Sequence, residues 1–209
     1  KSPESFDEVF FSTYSDHEIK EELLNFITLI LRNKNKKRYL SKNNNNYKRI
    51  NLIQDELYNS SFLIPFREPL QHAYSLLSQH NLFTKLQAKN DFIRRYMNYL
   101  GHNEFGKNHS PWNEPRNNKS FSDIDYWLEQ WLLFYNNVFE KFKENQKCTF
   151  ICYEKLSNKM YIEKILKKLN LDNRINFEFI VNKKNITIKH NSELYKKTLL
   201  LYDKIKSIL

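Results

Sequence analysis

SFLIPFREPLQHAYSLLSQH, residues 61–80, decides how the rest of the chain is read. An apolar strand, SSFLIPF, runs into Arg67, and Pro69 follows at a position where a helix can start without an amide donor. Arg67 therefore stands where a strand stops, at the carboxyl edge of a sheet, the usual ligand position in an open α/β fold. Its guanidinium is planar and permanently charged. Ser75 lies eight positions further on, about two helical turns, so its hydroxyl faces the same side as the guanidinium. The pair suits a phosphate. An Arg closing a sheet edge beside a Ser filling a helix face is the plainer alternative.

Outward from this stretch, strands alternate with helices. DHEIKEELLNFITLILR, residues 16–32, places Ile19, Leu23, Phe26, Ile27 and Ile30 at helical spacing, with Ser15 or Asp16 as its cap. RYLS, 38–41, reads as a short strand, and Asn43–Asn46 as a loop whose side chains cap a helix near 46–57. The helix from Pro69 is expected to continue through 81–98, burying Leu82, Leu86, Phe92 and Tyr96, with Gln79 and His80 in solvent. GHNEFGKNHSPWNEPRNNK, 101–119, holds both glycines of the chain and reads as a long loop. Ser122 and Asp125 form a variant capping box. Ile124, Trp127, Leu128, Trp131, Tyr135, Val138 and Phe142 then share one face of a long helix, an aromatic stripe that reads as core. CTFICY forms a strand, and helices follow at 160–170 and 191–208. This alternation predicts an α/β fold, a parallel sheet flanked by helices, with strands near 38–41, 61–66 and 148–153 in one sheet. Lys42, Arg67 and Tyr153 would then share its carboxyl edge.

The 209 residues suit one domain, 1–209. The formal net charge of +10 points toward an anionic partner, although Lys and Asn richness with few Ala, Gly and Pro also reflects a compositional bias of the kind AT-rich coding imposes. Cys148 and Cys152, the only cysteines, sit four residues apart in a strand and so roughly 13 Å apart. That is beyond the reach of a disulfide, and two reduced buried thiols are expected. No His- or carboxylate-rich segment has metal-ligand spacing, so no metal is expected. No run of eighteen apolar residues is present, so no membrane span is expected in this stretch; the expected location is cytoplasmic, with a signal or anchor upstream of Lys1 as the alternative.

FREPLQHAYSLL resembles the 3′-phosphate-binding segment of the sulfotransferases that use 3′-phosphoadenosine 5′-phosphosulfate, in which a strand-ending Arg and a Ser eight residues later hold the nucleotide. KRYLSKNNNNYKRINLIQDELYNSSFLIPFREP resembles that family's preceding strand, helix and strand, and FICYEKL its later strand ending in Tyr-Glu. The likeness, closest to bacterial members, covers most of residues 1–170. It implies a P-loop nucleotide-type fold and transfer of a sulfuryl group to a hydroxyl or amine. The acceptor is expected to be a carbohydrate or glycolipid, or second a small phenol or alcohol, and an acidic acceptor would match the basic surface. No metal cofactor is implied. Arg67, Ser75 and Tyr153 would contact the nucleotide, Tyr153 at its adenine end; a packing Tyr and a helix-capping Glu154 are the alternative for the Tyr-Glu pair. Lys183 and Lys184 in VNKKNITIKH stand where the family has a basic loop, without its glycine.

Sulfuryl transfer needs the donor held in line, the leaving phosphate neutralised and the acceptor deprotonated. Lys42, directly after RYLS, is placed to stabilise the bridging oxygen. Glu8, His102, His109 and Glu104 are candidate bases. The family's Gly- and Ser/Thr-containing phosphosulfate loop is absent, so the first strand and that loop are expected upstream of Lys1, leaving this fold incomplete at its amino end. Two rivals stand beside this reading. One is a P-loop small-molecule kinase, for which a Walker lysine and a magnesium-binding acid are missing. The other is a non-catalytic binder of nucleic acid or other polyanions, though the basic residues are scattered rather than gathered on one helix face.

Overall fold

The computed structural model describes residues 7–13, 19–114, 118–171 and 178–208. The chain is α/β and mostly helical. In order come α1 (Asp7–Thr13), α2 (Ile19–Lys34), a 3₁₀ turn (Asn44–Lys48), α3 (Ile50–Glu56), β1 (Phe62–Phe66), α4 (Pro69–Lys89) and α5 (Asp91–Tyr99). After these come α6 (Ile124–Phe142), β2 (Cys148–Cys152), a 3₁₀ turn (Tyr153–Lys155), α7 (Lys159–Lys168) and α8 (Ser192–Lys206). By internal packing the chain divides into two compact units, residues 1–60 with 86–103, and residues 61–85 with 104–209.

The second unit carries the sheet. β1 and β2 pair in parallel, in register from Phe62 opposite Cys148 to Phe66 opposite Cys152. Pro65 has no amide hydrogen and confines β1 to an edge position. Its carbonyl accepts a bond from the Tyr135 hydroxyl, 2.8 Å. α6 lies along α8 and supplies most of the core. Its expected stripe is buried throughout, and Tyr126, Gln130 and Phe139 join it. The helix starts one residue later than the capping-box pattern implies: Asp123, not Ser122, accepts the Asp125 amide. Ala73 and Leu77 of α4 pack against Ile124, Trp127 and Leu128. Phe139 meets Phe150 edge-on, and Phe66 meets Tyr202. Both cysteines are buried free thiols, and burial lifts the Cys148 thiol to about 11.

In the first unit, Ile19, Leu23, Ile50 and Leu100 are buried, and Phe10 stacks on Phe26. The expected caps Ser15 and Asp16 lie outside the described residues. Asn43 accepts the Asn45 amide at 2.7 Å, so the tetra-Asn stretch does cap a turn. Gly101 takes φ +70°, and a Cβ there would stand 3.0 Å from Glu8 Cβ, which explains a glycine at this point.

Three expectations are corrected. Residues 38–41 form no strand, and among the described residues the sheet has two strands. Among the described residues RYLS has no strand neighbour to pair with, Leu40 is 86% exposed, and Tyr39 packs on Phe26 instead of on a sheet. Leu82, Leu86, Phe92 and Tyr96 are exposed, because the inward stripe of α4 runs Ala73, Leu77, His80, Gln87, and the helix then breaks at Asn90. The Asn90 side chain accepts the Phe92 amide and starts α5 in a new phase, with Phe92 68% exposed. His80 is buried rather than in solvent: its Nδ1 accepts the Gly106 amide and its ring lies against Trp127, His109 and Phe121.

Candidate functional site

Because Phe66 and Cys152 are opposite each other in a parallel pair, the next residue of each strand leaves the sheet at the same carboxyl edge. Those residues are Arg67 and Tyr153, and the guanidinium carbon stands 4.5 Å from the Tyr153 ring centroid. Arg67 Nη2 donates to the Asn182 carbonyl, 2.5 Å, and weakly to Gln71 Oε1, 3.4 Å. Its Nε is buried and has no partner. Among the described residues no carboxylate pairs with it, which is unusual for a partly enclosed cation.

The two nearby acids are engaged elsewhere. Glu154 accepts the Glu68 amide, 2.9 Å, and the Tyr202 hydroxyl, 3.0 Å. Glu68 accepts the amides of Leu70 and Gln71 and the Tyr195 hydroxyl, 2.9 Å. Both carboxylates thus saturate the amino end of α4, where orphan amides and the helix dipole favour negative charge. Burial, then the Glu68 carboxylate, push Tyr195 up to about 12. Burial, reinforced by the Glu154 charge, also raises the Cys152 thiol, so it stays protonated near neutrality and is a poor nucleophile.

His72 keeps a partly exposed edge, but its Nδ1 is enclosed and without a partner. Burial and then the Arg67 charge push it down to about 4, against an opposing pull from Glu154. It is therefore neutral beside Arg67 at physiological pH. A depressed histidine contributes stability that is complete above its unfolded value of about 6.5 and is lost as pH falls toward the folded value. Stability should accordingly drop by about 2–3 kcal/mol between pH 6.5 and 4, at 1.36 kcal/mol per unit. Urea melts of His72→Gln over that range should show a flatter profile than the unaltered protein; parallel profiles would mean that His72 titrates normally.

Residues 182–184 complete the cluster. The Asn182 amide donates to Tyr153 Oη, 3.1 Å, and Lys184 exchanges two main-chain bonds with the Gln71 amide. The Lys183 and Lys184 side chains are exposed, and Lys184 Nζ stands 5.2 Å from the Tyr74 ring centroid. Ser75 lies two turns along α4 from Arg67, half-buried, and among the described residues its hydroxyl has no partner. The structure thus brings Arg67, Tyr153 and residues 182–184 to one sheet edge, with Ser75 on the adjoining helix.

The other candidates sit differently. Lys42 is exposed and follows no strand, so the strand end expected to position it is not formed. Glu8, Lys42 and His102 belong to the first unit. Glu8 forms a two-point ion pair with Arg49, 2.7 and 2.6 Å. Burial alone would raise its pKa, but the Arg49 bonds and charge hold it below the usual range, which makes it a weak base. Glu104 is buried, and its carbonyl takes the Nδ1 proton of His109. His109 Nε2 then accepts the Tyr126 hydroxyl at 2.6 Å, so both ring nitrogens are engaged in the loop. Gln71 and Asn182 belong to this cluster and were not named by the sequence reading.

Among the described residues no cluster of three or more His, Cys, Asp or Glu is arranged to hold a metal ion, and no helix is long and apolar enough to cross a membrane. Comparison with protein-family models, curated proteins and solved structures finds no match to this chain.

Proposed function

We propose that this chain binds 3′-phosphoadenosine 5′-phosphosulfate at the carboxyl edge of its parallel strand pair, and acts as a sulfotransferase of the P-loop nucleotide fold. The observation that carries the reading is Arg67: a guanidinium with a buried, unpartnered Nε and no carboxylate beside it, in a strand-end position. A phosphate monoester supplies the missing countercharge, and planar guanidinium geometry suits it. Ser75 adds a neutral hydroxyl and Lys183 and Lys184 add charge, while Tyr153 offers a flat face to the adenine end.

In the reaction this reading assigns, an acceptor oxygen or nitrogen forms a bond to sulfur. The bond from sulfur to the 5′-phosphate oxygen breaks, and adenosine 3′,5′-bisphosphate leaves. The acceptor proton passes to a base. A hydroxyl of a carbohydrate or glycolipid is the proposed acceptor class, and the net charge of +10 favours an acidic one.

Calorimetry of the unaltered protein with adenosine 3′,5′-bisphosphate and adenosine 5′-phosphate tests the reading. The bisphosphate should bind at least about tenfold tighter, roughly 1.4 kcal/mol. Equal affinity, or salt-sensitive binding of single-stranded RNA with no response to either nucleotide, would contradict it and favour a polyanion binder.

A further inference from the structure

Residues 182–184 are held across the start of α4 through their main chain. Gln71 Nε2 donates to the Lys184 carbonyl at 2.8 Å, and the Lys184 amide donates to Gln71 Oε1 at 2.9 Å. One side-chain amide thus supplies the donor and acceptor that a neighbouring strand would otherwise offer. Gln71 is 7% exposed, so neither bond is readily replaced by solvent. The same Oε1 receives the weaker contact from Arg67 Nη2, and the Asn182 carbonyl receives the stronger one. Gln71 therefore fixes the basic segment, and the segment's Asn182 carbonyl in turn holds the guanidinium.

The lysine side chains take no part in this docking. Lys183 and Lys184 stay exposed, and Lys184 rests over Tyr74, one turn beyond Gln71 on the same helix. The backbone that carries them is anchored, so only the lysine side chains are left to order when an anion arrives.

We infer that Gln71 is a positioning residue that sets selectivity for a terminal phosphate at Arg67, by holding the 182–184 segment so that its lysines reinforce the guanidinium. The inference rests on the nucleotide reading given above. Acting through a docked segment, Gln71 makes its effect on the bisphosphate and not on a nucleotide lacking the 3′-phosphate. Its effect is also shared with Lys184 rather than added to it, because both changes remove the same placement of charge.

The test uses the full chain, unaltered and as Gln71→Ala, Lys184→Ala and the double variant, titrated with adenosine 3′,5′-bisphosphate and adenosine 5′-phosphate. Hydrogen exchange at the Lys184 amide is followed in parallel. Gln71→Ala should cut the preference for the bisphosphate about tenfold and quicken exchange at Lys184, and the double variant should lose little more. Gln71→Met, which keeps the side chain's length but can neither donate to the Lys184 carbonyl nor accept its amide, should behave alike; it serves where Gln71→Ala does not fold. An unchanged preference in a folded Gln71 variant, or fully additive losses, would overturn the inference while leaving the nucleotide reading standing. Absence of any preference in the unaltered protein would remove the nucleotide reading, and the inference with it.

Discussion

Replacing Trp127 by alanine is expected to destabilise the protein by about 3–5 kcal/mol, the range for deleting a large aromatic side chain from a packed core. The indole is fully enclosed, and its ring contacts include Tyr126, His109, His80 and Phe105, with centroids 5.1, 5.1, 5.4 and 5.9 Å away. Its Nε1 donates to the Phe121 carbonyl at 2.9 Å, and the truncation strands that acceptor. Against the 5–15 kcal/mol that typically holds a domain together, such a loss is a large fraction. Thermal melts followed by circular dichroism should show a drop of about 6–20 °C for a chain of this size. Phe92→Ala is the internal control: at 68% exposure it should cost no more than about 0.5 kcal/mol. A Trp127→Ala protein within 1 kcal/mol of the unaltered one would contradict the assignment of α6 as the centre of the core.

Where the local signal was strong, the sequence already indicated the structure. α6 keeps one apolar face for nineteen residues, and a stripe that wide is buried in almost any packing. β1 and β2 carry aromatic and branched residues, and Arg67 and Tyr153 each follow a strand directly, so their meeting at one edge follows once the strands are parallel. RYLS failed because four residues with one apolar side chain turned outward cannot hold a place in a sheet. The phase of residues 82–96 turned on Asn90, a capping residue whose effect is to restart the helix rather than continue it. Gln71 was hidden for a different reason. A neutral amide acquires a role only through its partner, and that partner, Lys184, lies 113 positions away.

The measurement that bears most directly on the central claim is the affinity of Arg67→Ala for two nucleotides. Removing Arg67 takes away a full charge and up to two aligned donors, and charge-assisted bonds of this kind are worth about 1.5–3 kcal/mol. Ser75→Ala removes one neutral donor and should cost less, and Arg67→Lys should recover part of the affinity through charge without the planar fork. Because the proposed partner of Arg67 is the 3′-phosphate, the loss belongs to one ligand only. Calorimetry should therefore show adenosine 3′,5′-bisphosphate weakened by about 30-fold or more, roughly 2 kcal/mol, with adenosine 5′-phosphate nearly unchanged. Equal losses for both nucleotides, or none for either, would contradict the account.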